Sequence, residues 1–292
     1  METLAIYALP WEFSPTVFVV CSFAAVIYWR GLQRLRRSGK RVRLWQCVCF
    51  YFGLLLGYAV LQTYIDYLAQ HMFWVHRLQH LVLHHLAPVL LIAGAQGQIL
   101  TQGVPDRWRR WAEPAKSQLR WAGYAFRLVQ HPVLASLLFV GLIYFWLIPE
   151  VHFTAMLDAR RYRLMNWSMA VDGLLFWWLI LTPRRAHGSG SVGYGSRILM
   201  LCFVAALQIF IGAYITFHKE ILFDVYAICG RAWAISPLVD QQLGGLITWI
   251  PPAMMSGIGL LVVLHFIMHD SRERRLSSAD PQEMAFAATD ES

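Results

Sequence analysis

The stretch 75–94 reads "VHRLQHLVLHHLAPVLLIAG" and sets four histidines in apolar surroundings. From 78 to 100 the chain is apolar for long enough to cross a bilayer, which takes about 20 residues. Imidazoles are expensive in hydrocarbon, so ionisable groups inside a span point first to function. His76, His80 and His84 recur at every fourth position. Members of such a series differ by about 40° in direction and one turn in height. They predict a rising stripe, with Gln79 beside it and His85 pointing about 100° away from His84. Two histidines at i and i+4 can share one metal ion, and neutral imidazole suits copper, zinc, iron and nickel. The same side chains can equally hydrogen-bond across helices or sit in the interfacial zone. Pro88 is expected to kink the helix just beyond the cluster.

The rest of the chain places this stretch in a membrane. Its 292 residues are 58% hydrophobic and only 14% charged, where soluble domains carry about 25%. Thirteen Trp and twelve Tyr suit rings that anchor at bilayer interfaces. Seven stretches read as spans: 15–32, 44–63, 78–100, 131–149, 168–182, 197–217 and 244–267, the fifth starting earlier, near Arg163. Backbone groups in lipid must be satisfied within the helix. The expected fold is therefore an all-α bundle of seven transmembrane helices over 1–270, with a polar, disordered tail over 271–292. One alternate set of connections holds 19 of the 25 Lys and Arg, and the other holds 6. That bias puts the N-terminus outside and the C-terminus in the cytoplasm. A bacterial inner membrane is the simplest home. The N-terminus, "METLAIYALPWEFSP", lacks the basic region of a cleaved leader.

The net charge of +8 lies in short loops and forms no basic face with interleaved aromatics, which argues against nucleic acid. The run "RLRRSGKRVR" sets topology and meets anionic lipid. The five cysteines are scattered and make no disulfide framework. Cys47 and Cys49 point about 200° apart on a helix, and Cys229 is alone in the outer loop between spans six and seven. No nucleophilic triad, phosphate-cradling loop or paired acid suggests catalysis.

The orientation sorts the histidines. His71, His76, His80, His152 and His218 fall near the outer face; His131, His187, His265 and His269 fall near the inner one. The ligand candidates are His76 and His80, with His152 and His218 from other helices. His71, His84, Met72, Met165 and Met169 are weaker candidates. Asp240 and Gln241 open the last span, and Asp240 suits either a helix cap or a carboxylate that orients a ligating histidine. Asp66 invites the same two readings, and Gln79 is a further orienting candidate. Gly244 and Gly245 favour close helix packing, and Met254 and Met255 favour core packing.

Four segments together resemble the CtaG family of membrane-integral cytochrome c oxidase assembly factors. The family's signature runs His-Met-x-Gln-His, an apolar stretch, then Ala-Pro, aliphatic residues and Gly. Here His76, Gln79, His80, Ala87, Pro88 and Gly94 match it. "HPVLASLLF" from His131, "GLLFWWLI" from Gly173 and "DQQLGGLITWIPP" from Asp240 follow in order. The resemblance implies a role in maturing a haem–copper oxidase, with copper, as Cu(I), handed to the catalytic subunit from the outer face. The oxidase subunit, a periplasmic copper donor and membrane lipid are the implied partners. Met72, Met156, Met165 and Met169 lie at the same level and suit Cu(I). The chain departs from the family's pattern in several places. Arg77 and Thr248 stand where Met is usual, and the fourth span ends in "FWLIPEVH" where the family usually has a Trp-His-x-Pro-like histidine, although His152 follows Pro149. "LMNWSM", with Met165 and Asn166, stands where Glu-His is frequent. Three other readings remain at this point: a bis-histidine haem protein using His80 and His218, a metal or solute transporter, and a purely structural binder of oxidase subunits.

Overall fold

The computed structural model describes residues 12–95, 98–108, 110, 120–183 and 192–278. Regular structure among them is helical, and no strand forms. Five helices are long and apolar enough to cross a membrane, and a bent pair makes a sixth. They are α1 (Pro15–Arg37), α2 (Leu44–Gln62), α10 (Ala159–Leu181), α11 (Tyr194–Phe217) and α13 (Pro237–Ser278). The bent pair is α7 (Arg120–Val129) with α8 (Pro132–Trp146), which meet at 73°. Short helices fill the connections: α3 (Tyr64–His71), α6 (Ile99–Gly103), α9 (Pro149–Leu157) and α12 (Val225–Ile228). Large apolar side chains such as Phe18, Trp29, Leu55, Leu199, Phe210 and Leu261 stay exposed around the bundle. On a water-soluble protein such a belt would be a liability; on a bundle in lipid it is the solvated face.

The histidine segment departs from the regular helix that its apolar run predicts. It starts earlier, with α4 (Phe73–Leu81), passes through a π-helical turn (Val82–Leu86) and ends as α5 (Ala87–Gly94). Pro88 accounts for the turn. It has no N–H to give the carbonyl of His84, and its ring would crowd that carbonyl in a tight helix. The wider turn relieves the clash, and the amide of Ala87 bonds to Val82 instead. Gly173 of α10 lies directly against the freed carbonyl: a Cβ there would sit 2.5 Å from the His84 oxygen. The interior also breaks the expected stripe, because the π turn swings His84 and His85 toward α8 and α10 rather than along the line of His76 and His80.

The remaining packing follows size and shape. Gly244 and Gly245 of α13 face the Phe73 ring and Thr216, and Gly212 of α11 faces Trp249. Gly31 and Gly103 bring α1 and α6 into contact, each against the other's backbone neighbourhood. Asp158 caps α10 by accepting from the amides of Arg160 and Arg161, which hold its carboxyl below the usual range. At the far end of α10, buried Arg197 donates to the carbonyls of Ile180 and Thr182. α13 continues to Ser278, so residues 271–278 are helical where a disordered tail was expected; Glu273 lies 3.8 Å from His269 on one helical face. Residues 279–292 and His187 lie outside the described residues.

Gly173→Ala should therefore lower stability by about 1–3 kcal/mol through overpacking against His84. Gly141→Ala, where nothing lies within 4 Å, should be neutral or gain up to about 1 kcal/mol of helix propensity. Thermal unfolding of the two variants in detergent tests the contrast.

Candidate functional site

The site is assembled by a cap that crosses the bundle. Met72 is extended, so α4 begins abruptly at Phe73 with its first amides unsatisfied. The carboxylate of Asp240 takes two of them, Phe73 N–H at 3.1 Å and Trp74 N–H at 2.9 Å. Arg231 pairs with the same carboxylate. Asp240 thus caps a helix remote from it in sequence, and no imidazole among the described residues bonds to it. Gln241 is likewise structural: it accepts from Leu222 N–H and donates to the Glu220 carbonyl, pinning the loop before α12.

Held at that height, His76 and His80 meet His152 of α9. The His76 ring lies 4.3 Å from His80 and 5.2 Å from His152, centroid to centroid. All three are buried, with exposures of 0%, 1% and 1% respectively. Their nitrogens differ in availability. His152 donates from Nδ1 to the Trp146 carbonyl (3.0 Å) and accepts from the Tyr226 hydroxyl at Nε2 (2.9 Å). His80 accepts from Arg77 at Nδ1 (3.3 Å) and donates from Nε2 to Asn166 Oδ1 (3.1 Å). His76 has no partner at either nitrogen among the described residues. A fully buried imidazole with two orphan nitrogens is rare in a native interior and calls for a missing ligand or water.

Beside this triad lies a second polar knot. Asp66 of α3 accepts from Gln79 (2.7 Å), Tyr162 (2.8 Å) and Gln70 (3.1 Å). Burial nevertheless pushes its carboxyl up to about 6, above the usual carboxylate range. Gln79 also donates to the Val60 carbonyl. Neither Asp66 nor Gln79 bonds to a histidine; they hold Tyr162, whose ring centroid is 6.0 Å from that of His76. Asp66, Tyr162 and Asn166 form part of the wall of an open cleft of about 640 Å³. Asn166 therefore stands between that cleft and His80.

Other candidates fall elsewhere. His218 is half-buried against Tyr214 and borders a groove with Phe210 and Phe217; the structure does not bring it to His80. His71 bonds to the Tyr67 carbonyl within its own short helix. Met72 packs with Leu68, Ala69 and Val75. Met165 and Met169 join Met156, Phe73, Trp146 and Tyr226 in the apolar wall around His152. His84 donates to Asp172 (3.0 Å) and stacks on Phe139, and His85 accepts from Gln208 (3.0 Å). Near the end of α13, His269, Asp270 and Glu273 come close enough to share an ion, but His269 is exposed.

The departures from the resembled pattern converge in space. Arg77 donates to Thr248 at 2.9 Å and to His80; Asn166 takes the other side of His80; His152 is tied to Trp146, just before the position where the usual histidine is absent. They form one rearranged neighbourhood. The residues that sequence reasoning missed are Tyr226, Tyr162, Asp172 and Gln208. Asp172 and Gln208 carried a usable signal, being polar side chains inside apolar runs; the two tyrosines carried none.

Asp240→Ala should free the amides of Phe73 and Trp74, removing about 1–2 kcal/mol of capping. Hydrogen exchange at those two amides should accelerate, with a smaller effect for Asp240→Asn; unchanged exchange would show that the cap contributes nothing.

Comparison with known proteins supplies the family. No solved structure matches the chain. An uncharacterized protein of Mycobacterium leprae is 26% identical over 82% of this chain and 36% of its own length. Others from Mycobacterium bovis and Mycobacterium tuberculosis are 27% identical over 85% of this chain and 38% of their own. The chain thus spans little more than a third of these relatives. A family model described as cytochrome c oxidase caa3 assembly factor matches residues 26–270, and the chain belongs to that family.

Proposed function

We propose that this chain assists the maturation of a haem–copper cytochrome c oxidase by holding Cu(I) transiently at His76, and that it acts as an assembly factor and not as a catalyst. The observation that carries the reading is the orphaned imidazole of His76, buried between two further histidines. Copper is cargo here, so a weak site is an advantage. His152 is the better second ligand: it gives up only a neutral tyrosine hydroxyl at Nε2, and its Nδ1 stays oriented by a backbone carbonyl, the usual support for a ligating histidine. His80 is disfavoured, because the Arg77 guanidinium occupies its Nδ1 and repels a second cation. Met165 and Met169 offer thioether sulfur in the same wall, a donor that suits Cu(I).

The same reading places seven spans in a bacterial inner membrane, the N-terminus outside. Phe73–Gly94, helical throughout but interrupted by the π turn, supplies the span beyond the five long helices and the bent pair. The uneven distribution of Lys and Arg supports the orientation. The large cleft then opens outward, toward the side from which a periplasmic copper donor would approach, and the oxidase catalytic subunit is the recipient.

The test is copper bound per protein under reducing, oxygen-free conditions. Wild type should hold about one Cu(I), His76→Ala should lose it, His152→Ala should weaken it, and His218→Ala should leave it unchanged. Loss of oxidase copper in cells carrying His76→Ala is the matching physiological outcome. Equal copper in wild type and His76→Ala would sink the site.

A further inference from the structure

We propose that Met156 is the relay ligand that passes Cu(I) from the open cleft to His76; the proposal rests on the copper reading above and adds the route. The cleft of about 640 Å³ comes within one side chain of the buried histidines at three places. Tyr162 lines it, and its ring lies 6.0 Å from that of His76, centroid to centroid. Asn166 lines it and accepts from His80. Met156 lines it and also belongs to the apolar cluster of Phe73 and Tyr226, whose rings meet His152. Met156 follows His152 by one turn on α9, and residues four apart share a helix face.

Chemistry separates the three. The Tyr162 hydroxyl is engaged by Asp66 and Gln79, and the Asn166 amide oxygen is taken by His80. Both offer hard oxygen, whereas Cu(I) selects soft donors such as a thioether. The methionine side chain is also unbranched and flexible enough to shift between two positions. The cleft lining has no histidine or cysteine among the described residues, so Met156 supplies its only sulfur. At 9% exposure Met156 stands at the boundary between cleft and core. Charge does not oppose the path, because Glu12 and Asp66 line the cleft against Arg163. A second void bordering His80, of about 10 Å³, has Arg77 in its wall, and that guanidinium repels a cation. In the relay, the thioether takes Cu(I) from the ligand that carries it into the cleft. The lone-pair nitrogen of neutral His76, which no group among the described residues occupies, then displaces the sulfur. Copper stays Cu(I) throughout, and no proton is released.

The experiment offers Cu(I), as its acetonitrile complex without oxygen, to the full chain in detergent. Bound copper is measured at timed intervals after rapid desalting. Met156→Leu keeps the volume and apolar character; it should fill to the same copper per protein as wild type, but about tenfold more slowly. Met156→His restores a Cu(I) donor at the same place and should recover the rate. Equal rates in wild type and Met156→Leu overturn the relay and leave the copper reading standing. Loss of bound copper at equilibrium in Met156→Leu makes Met156 a resident ligand, which also overturns the relay. No copper on wild type overturns both readings. Should Met156→Leu fail to fold, Ala159→Trp decides. Ala159 is exposed and lines the cleft, and the larger ring narrows it. Slower filling supports the route, and unchanged filling overturns it.

Discussion

The carboxylate of Asp240 determines where everything else can stand. By accepting the first amides of α4 from across the bundle, it fixes the height at which the histidine helix enters the core. Its own charge is met by Arg231, so the cap adds no net charge to a low-dielectric interior. With that end anchored, Pro88 forces the irregularity one turn beyond His80, and Gly173 leaves room for the His84 carbonyl. Capping, kink and close approach are three answers to one requirement: backbone groups in hydrocarbon must find partners inside the protein.

That requirement also makes the exceptions informative. The interior satisfies Gln79, Asp66, Tyr162, Asn166, His80 and His152 with bonds that cross between helices. Beside that network, His76 is left with no partner at either nitrogen among the described residues, and Arg77 has only the neutral partners Thr248 and His80. His76 faces His152, while Arg77 lines a small cavity together with His84 and His85.

The all-helical character and most of the long apolar helices were legible in the sequence, because apolar run length is a one-dimensional signal. The grouping of His76 with His80 was legible for the same reason, being a matter of helical spacing. What lay across helices was not. Nothing near Asp240 in sequence announces Phe73 or Trp74 as its partners, and nothing near Tyr226 announces His152. His218 looked equivalent to His152 on level alone, yet it faces a groove on the surface of the bundle, because height along a helix says nothing about azimuth. The rising stripe failed at His84 since the consequence of Pro88 reaches backwards: a residue deletes a bond of the one four positions before it.

α13 carries 42 residues, which at about 1.5 Å each make a rod roughly 60 Å long. The hydrocarbon it crosses is about 30 Å thick. Half of its length therefore stands in water or among headgroups, and the residues that hold α4 and the Arg77 side chain, Asp240 and Thr248, sit on the same helix as the exposed turns near Glu273. Pro251 and Pro252 interrupt it between these regions, each removing a backbone bond. The helix thus lacks two backbone bonds between the end that holds the site and the end that protrudes, so the stretch joining them is held more by side-chain packing than by its own ladder.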